Sequence, residues 1–468
     1  MERPAVLIPE EKMFRKKVFI TAIFILCTCL LLSGCSRLKD AAESVSGPKK
    51  VEFAAGEFDP ETTSELAIVL QPGETELLSQ LPLLRSADFS GSECVEEIYA
   101  WAGSNPQVDV KYTLSLPDGS SHDNNTRELD FSAMSGEDIQ LAAELLPCLP
   151  ELERIELGTE REDLSWEDIG LLQQLLPETK LSYSFELYGL QLELNDSQIN
   201  LSHVPVEDGG AQIKQVMAYM PSLTYVDMDS CGVSNEDMAA IRDAYPDVKV
   251  VWRIWFGENG VYSVRTDVER ILASTPSKGE VYPGNCEALQ YCTEVKYLDL
   301  GHNTNLTDIS FIASMTKLEV AVLAMANWSD ASPLANCPNL EYLEMQTTLC
   351  TDLSPLSELK NLRHLNIAYI YDLCDISPLY SLTELERLWI GCINPVPAEQ
   401  VAQMQAAAPN CEINTEVYID PTGGRWRYVD YNELAYMYIY HDRYILLREQ
   451  FGDYASDAFS YYWNDPLI

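Results

Sequence analysis

Asp330-Ala331-Ser332-Pro333-Leu334, Asp352-Leu353-Ser354-Pro355-Leu356 and Asp375-Ile376-Ser377-Pro378-Leu379 are three versions of one block, and Asp308-Ile309-Ser310 is a shorter fourth. Their aspartates are spaced by 22, 22 and 23 residues. Apolar frames accompany the blocks: Val295/Leu298/Leu300, Leu318/Ala321/Leu323, Leu340/Leu343/Met345, Leu362/Leu365/Ile367 and Leu385/Leu388/Ile390. Each frame predicts a short strand whose alternate side chains point inward. The Asp-Ile-Ser-Pro-Leu block then turns the chain, with Pro opening a tight turn and Leu plugging the core. So short a unit cannot bury its apolar face alone, so neighbouring units must share one core.

Before residue 290 the repetition is looser. Leu84/Ala87/Phe89, Leu152/Ile155/Leu157 and Leu223/Val226/Met228 recur at 68 and 71 residues. A second strand-like pattern starts at Pro106, Pro177 and Pro246. Between strands stand Ser135/Asp138, Ser165/Asp168 and Ser234/Asp237, the pattern of a serine N-cap with an acid at the third helical position. Apolar spacing in Ile139/Ala142/Ala143 and Met238/Ile241/Ala244 suits helices packed on one face. The first half therefore predicts strand plus helix, and the second half strand plus a short turn or 3₁₀ segment.

The 22-residue block resembles the leucine-rich repeat of internalin-type surface proteins. That resemblance implies an α/β chain folded as a right-handed leucine-rich-repeat solenoid. One departure stands out: the family's asparagine at the ninth frame position is met by Asn303, but then by Ala326, Thr348 and Ile370, with Asn327 one place late. A continuous asparagine ladder is absent. The segment from Gly423 is rich in Trp and Tyr, from Trp426 to Trp463, and reads as an aromatic cap over the last repeat, with Tyr444 to Phe451 as a short amphipathic helix. The alternative is a stacking surface for sugars. With Asp299-Leu-Gly-His302, Leu388-Trp-Ile-Gly-Cys-Ile-Asn-Pro395 and Tyr462-Trp-Asn-Asp-Pro466, the chain resembles leucine-rich-repeat lipoproteins of clostridial-type Gram-positive bacteria.

At the N-terminus, Arg15-Lys16-Lys17 precedes the apolar stretch Val18 to Leu32, a length suited to a secretory signal and short for a membrane span. Met13 is the natural start of such a signal, because Glu10 and Glu11 precede it. Leu32-Ser33-Gly34-Cys35 resembles the bacterial lipobox, which implies that Cys35 carries a diacylglyceryl group. A spanning anchor is the alternative. The expected organisation is a signal peptide over 1–34, lipidated Cys35 and a flexible tether to 64, strand–helix repeats over 65–290, 22-residue repeats over 291–418 and the aromatic cap over 419–468. The expected location is the outer face of the cytoplasmic membrane, lipid-anchored and extracellular.

The net charge is −42, and residues 1–34 hold more basic than acidic side chains, so the remainder is more acidic still. Such a field repels nucleic acid and anionic head groups. The 46% apolar content speaks for a folded chain. Ten cysteines beyond Cys35 form no C-x-x-C pair and read as small buried residues, with Cys392 and Cys411 a candidate clip. The five histidines are scattered, and no H-E-x-x-H, G-x-S-x-G, P-loop or G-x-G-x-x-G occurs. No catalytic residue, metal ligand or cofactor is assigned; a hydrolase with unrecognised carboxylates is a remote alternative. Asp308, Asp330, Asp352 and Asp375 would stack one per coil, either as a calcium ladder or as acceptors of local turn amides, and the Ser-Pro that follows favours the turn.

Binding remains. Residues between the inward apolar ones face the concave surface, which predicts an exposed row of Tyr225, Asp227, Tyr297, Asp299, Tyr342, Glu344, His364, Asn366, Arg387 and Trp389, together with Val320 and Val322. Aromatic groups interleaved with hydrogen-bonding ones suit a protein partner on the cell surface, with carbohydrate as the alternative ligand. Membrane contact is expected through the lipid anchor only.

Overall fold

The computed structural model describes residues 50–274, 278–391, 396–415, 426–432, 437–440 and 444–451. Cys35, the signal and Cys392 lie outside them. The chain divides into two compact units, Met1–Ser197 with Ala211–Leu223, and Gln198–Gly210 with Thr224–Ile468. Among the described residues no helix is long and apolar enough to cross a membrane.

The first unit opens on an antiparallel hairpin, β1 (Val51–Phe53) and β2 (Gly56–Phe58). This corrects the expected tether, which ran to residue 64. Val51 and Phe53 alternate with Glu52 and are buried, and the rings of Phe53 and Phe58 meet edge to face at 5.8 Å. Three short strands follow in parallel, β3 (Glu65–Ala67), β4 (Ser86–Asp88) and β5 (Asp109–Lys111), with Leu66, Ala87 and Val110 in one row. The chain then doubles back as the hairpin β6 (Thr113–Ser115) and β7 (Ser121–Asp123). Its turn is Pro117-Asp118-Gly119, with Gly119 at φ 84° and the Asp118 carboxylate accepting the Ser120 amide at 2.9 Å.

The pattern recurs. Strands β8 (Glu128–Asp130), β9 (Arg154–Thr159) and β10 (Lys180–Leu187) run parallel with Leu129, Ile155 and Leu181 side by side. Strand β11 (Leu190–Glu193) returns antiparallel across the two-residue turn Tyr188-Gly189, both at positive φ (51° and 83°) as a type I′ hairpin requires. Helices Gly136–Ala143 and Trp166–Leu175 start where the serines predict: Ser135 and Ser165 each accept the amide of the residue three places on, Asp138 and Asp168, and Ser165 completes a reciprocal capping box.

The second unit holds β12 (Gln198–Asn200), β13 (Tyr225–Asp227) and β14 (Lys249–Val251), again parallel, with the helix Asn235–Ala244 capped by Ser234. Another hairpin follows, β15 (Arg253–Phe256) with β16 (Tyr262–Arg265). Within each unit, then, the run of parallel strands expected to be continuous is cut into blocks by hairpins. Next comes a seven-stranded parallel sheet: β17 (Arg270–Leu272), β18 (Tyr297–Asp299), β19 (Val320–Val322), β20 (Tyr342–Glu344), β21 (His364–Asn366), β22 (Arg387–Trp389) and β23 (Glu412–Asn414). Its central residues Ile271, Leu298, Ala321, Leu343, Leu365, Leu388 and Ile413 pair in register across all seven strands. The sheet thus begins one strand before the expected boundary at 291. The 3₁₀ segments Ser310–Ser314, Ser332–Asn336, Ser354–Glu358 and Ser377–Ser381 bury Ile312, Leu334, Leu356 and Leu379 beneath it. The last coil departs from the expected turn and uses the helix Ala398–Ala407.

The missing asparagines are replaced by other donors. Asn303 donates through Nδ2 to the Leu300 carbonyl (2.9 Å), the Trp328 indole to Leu323 (3.0 Å) and the Thr348 hydroxyl to Met345 (2.9 Å). Leu300, Leu323 and Met345 hold the same frame position, so three chemistries satisfy one buried carbonyl. One residue earlier, His302, Met325, Thr347 and Tyr369 all adopt left-handed backbone, φ 55–66°. Their amides donate to the next coil, at Ala324, Gln346, Ala368 and Gly391, over 2.8–3.2 Å. Asp308, Asp330, Asp352 and Asp375 each accept the amide of the serine two residues on, at 2.8–2.9 Å. The carboxylates are engaged as local turn acceptors.

Candidate functional site

The side chains that leave the leucine core on β19 to β22 stand where the alternation of the strands puts them. They are not exposed. Trp426, Tyr444 and Leu447 of the C-terminal segment pack with Val320, Val322, Tyr342 and Trp389 in one buried cluster. The Trp426 ring lies 5.7 Å from Tyr342, 5.6 Å from Trp389 and 5.5 Å from Tyr444. Its indole nitrogen donates to the Tyr342 hydroxyl at 2.6 Å and to the Glu344 carboxylate at 2.8 Å. Beside it, the Arg427 guanidinium binds Glu344 through Nε and Nη2, one to each carboxylate oxygen. The fork geometry of arginine suits such a pair.

Arg387 completes the arrangement. Its guanidinium carbon sits 5.2, 5.1 and 5.5 Å from the ring centres of Trp389, Trp426 and Tyr444. Nη1 donates to the Trp426 carbonyl and to the Tyr444 hydroxyl, the latter at 3.0 Å, and Nε lies 3.4 Å from the Glu412 carboxylate. His364 meets Tyr444 edge-on at 5.4 Å. Burial alone would raise the Glu344 carboxyl, but the Arg427 charge and hydrogen bonds hold it below the usual range. Burial pushes the Tyr342 phenol well above its ordinary value. Burial, helped by the Arg427 charge, lowers His302.

The rest of the predicted row is also engaged. Asp299 and Asn366 are buried and accept the Gly301 and Ala368 amides at 2.9 and 3.1 Å. Tyr297 reaches Glu319 at 3.4 Å. Tyr225 and Asp227 on β13 are held by Arg265 of the hairpin, through Nη2 to the phenol at 2.7 Å and Nη1 to the carboxylate at 3.0 Å. Arg253 pairs with Asp229 at 3.0 Å. The expectation of an exposed concave row is therefore corrected: it is covered by the chain itself. The described part of the tail covers the last repeat at Arg387 and Trp389, and it also extends back along the sheet face, where Leu272 and Tyr297 pack against its cluster and Arg270 of β17 donates to the Gln450 carbonyl at 2.6 Å. Alternation along a strand says which side chains leave the core, and it says nothing of what then covers them. Arg427 was missed by sequence reasoning; the basic run Arg425-Trp426-Arg427 in so acidic a chain is the signal that marks it.

What stays open is an edge. Met325, Leu349 and Tyr371 are 42%, 59% and 63% exposed. They occupy the turns just after β19, β20 and β21. Leu349 and Tyr371 hold the same position on neighbouring coils, and Met325 lies on the coil before.

Eight of the described cysteines are buried and Cys374 is exposed; none of these nine forms a disulfide among the described residues. Burial pushes the thiols of Cys286, Cys292, Cys337, Cys350 and Cys411 up to about 12 and that of Cys148 to about 11. Such thiols are inert packing groups. Among the described residues no group of three or more metal-ligating side chains comes together.

In-register parallel strands at a 22-residue period over a shared leucine core define a leucine-rich-repeat protein. No family model matches the chain, and no curated protein matches it. Among solved structures it is similar to an internalin from Listeria monocytogenes (16% identity, covering 76% of this chain and 82% of that one, TM-score 0.26). It is also similar to a leucine-rich-repeat protein from Leptospira interrogans (16% identity, 76% and 96% covered, TM-score 0.29). The repeat rests on the chain's own register.

Proposed function

We propose that this protein is a non-enzymatic leucine-rich-repeat module that holds a protein partner at the outer face of the cytoplasmic membrane. The Leu-Ser-Gly-Cys tetrad ending at Cys35 supports a lipid anchor, and two acyl chains hold a protein firmly to a bilayer. A right-handed coil is the sense that parallel strand connections take. The aromatic tail belongs to this scaffold as a cover for the sheet face.

The exposed stripe of Met325, Leu349 and Tyr371 carries the reading. Large apolar side chains left exposed on three consecutive rigid coils are candidates for protein contact. The acidic field around them favours a partner with a basic surface. Trp426 and Tyr444 spend their ring faces on protein, so nothing described favours the sugar-stacking reading.

The test is photo-crosslinking on intact cells with a benzophenone residue in place of Tyr371, and with Leu141 of the first unit, itself 59% exposed, as the control position. A discrete protein adduct from position 371, lost when Leu349→Glu is added without a change in melting temperature, supports the reading. Identical adducts from both positions, or none from 371, contradict it.

A further inference from the structure

We infer that the sheet face over β20 and β22 is a peptide-binding site for an arginine beside an aromatic residue, and that Trp426–Arg427 is an internal ligand which a partner segment of the same chemistry displaces. The inference rests on the face and not on the exposed stripe, so either can fail alone.

Each part of the dipeptide is read by a separate group. Glu344 takes the Arg427 guanidinium with both oxygens. Glu344 and Tyr342 take the Trp426 indole N–H, and Arg387 takes the Trp426 carbonyl. Trp389 meets the Trp426 ring at a tilt of 54°, and the Arg387 guanidinium lies over its face. A cover whose task is only to exclude water needs none of this. The Arg427–Glu344 contact is directional, with two guanidinium N–H groups matched to the two carboxylate oxygens. The readers stand on β20 and β22 of one rigid sheet, with β21 between them, held in place before any ligand arrives.

The fit of the internal ligand is incomplete. Trp389 Nε1 and Gln346 Oε1, both buried atoms, find no hydrogen-bond partner among the described residues. An unmet donor and an unmet acceptor beside the dipeptide are places where a better ligand gains contacts. The net charge of −42 draws a basic segment rather than an acidic one. The partner is thus a protein that presents an extended segment with arginine next to tryptophan or tyrosine.

The probe is a dye-labelled peptide of residues 426–432, Trp-Arg-Tyr-Val-Asp-Tyr-Asn, followed by fluorescence anisotropy with the full chain. An occupied site lowers apparent affinity by the fraction that is open. The Trp426→Ala/Arg427→Ala chain is expected to bind the peptide about ten-fold or more tighter than the unaltered chain. Adding Glu344→Gln to it should abolish that gain. Equal affinity for the unaltered and double-variant chains, or binding indifferent to Glu344, overturns the inference. If circular dichroism shows the double variant unfolded, Arg427→Gln alone keeps the Trp426 ring and must give the same order with a smaller gain; no gain there overturns it too. A dimer of the unaltered chain that the peptide dissociates would assign the face to the tail of a second copy, and would overturn the partner reading.

Discussion

Arg427, itself partly buried, holds both oxygens of the buried Glu344 carboxylate from 83 residues further along the chain. It fastens the C-terminal segment to the middle of the seven-stranded sheet. Removing one partner leaves the other charged, wholly or partly buried, and alone, and that sets the scale of the first prediction.

Glu344→Gln should destabilise the second unit by about 3–5 kcal/mol at neutral pH, the usual range for breaking a buried pair. Its folded carboxyl is held below the ordinary value. The stability it contributes is therefore fully present above the unfolded-state value, about 4.3, and is lost as pH falls through the folded one. Urea unfolding at pH 7 and pH 3 should show the gap between the unaltered chain and Glu344→Gln narrowing in acid. A gap that widens as pH falls would contradict this sign.

Replacing Arg387 by Leu should cost about 2–4 kcal/mol, since a hydroxyl and a carbonyl lose their donor and three rings lose their cation. Arg387→Lys keeps the charge but not the planar fork, and should fall between the two in thermal unfolding.

Trp328→Phe removes the donor to the Leu323 carbonyl while keeping most of the ring, and should cost about 1–2 kcal/mol. The second change Ala326→Asn puts an amide at the ninth frame position and should recover part of the loss. Unfolding midpoints of the single and double variants decide between a shared donor role and simple packing.

Strand alternation, the 22-residue period and the serine caps were legible because each is a local signal, and Leu343, Leu365 and Leu388 do lie side by side. The helix starts at Ser135, Ser165 and Ser234 were legible for the same reason. The hairpins that break the parallel runs were missed although Pro117-Asp118-Gly119 and Tyr188-Gly189 announce them. The β1–β2 hairpin was hidden in a segment whose composition is that of a linker, because only Val51 and Phe53 of its strands are buried and part of its support, the Glu74 carboxylate that accepts the Ala54 amide, lies 20 residues on. Trp328 in place of an asparagine could not be read from a template that looks for amides. The coverage of the face could not be read at all, since periodicity is blind to contacts 82 to 84 residues apart.

In the first unit, Ser165→Ala should cost about 1 kcal/mol through loss of the helix cap. Gly136→Ala should cost more, because its Cβ would fall 1.6 Å from the Asp163 carbonyl oxygen and backbone must move. Equal losses from the two changes would mean that the segment at Asp163 yields freely.

The most direct measurement is a double-mutant cycle in urea unfolding with Glu344→Gln, Arg427→Gln and both together. Side chains in contact couple by about 0.5–3 kcal/mol. A tail seated on the sheet through this pair predicts coupling near the upper end of that range, with the double variant losing far less than the two single losses combined. Strictly additive losses would mean that Arg427 does not rest on Glu344, and that the face is not held by the chain's own tail.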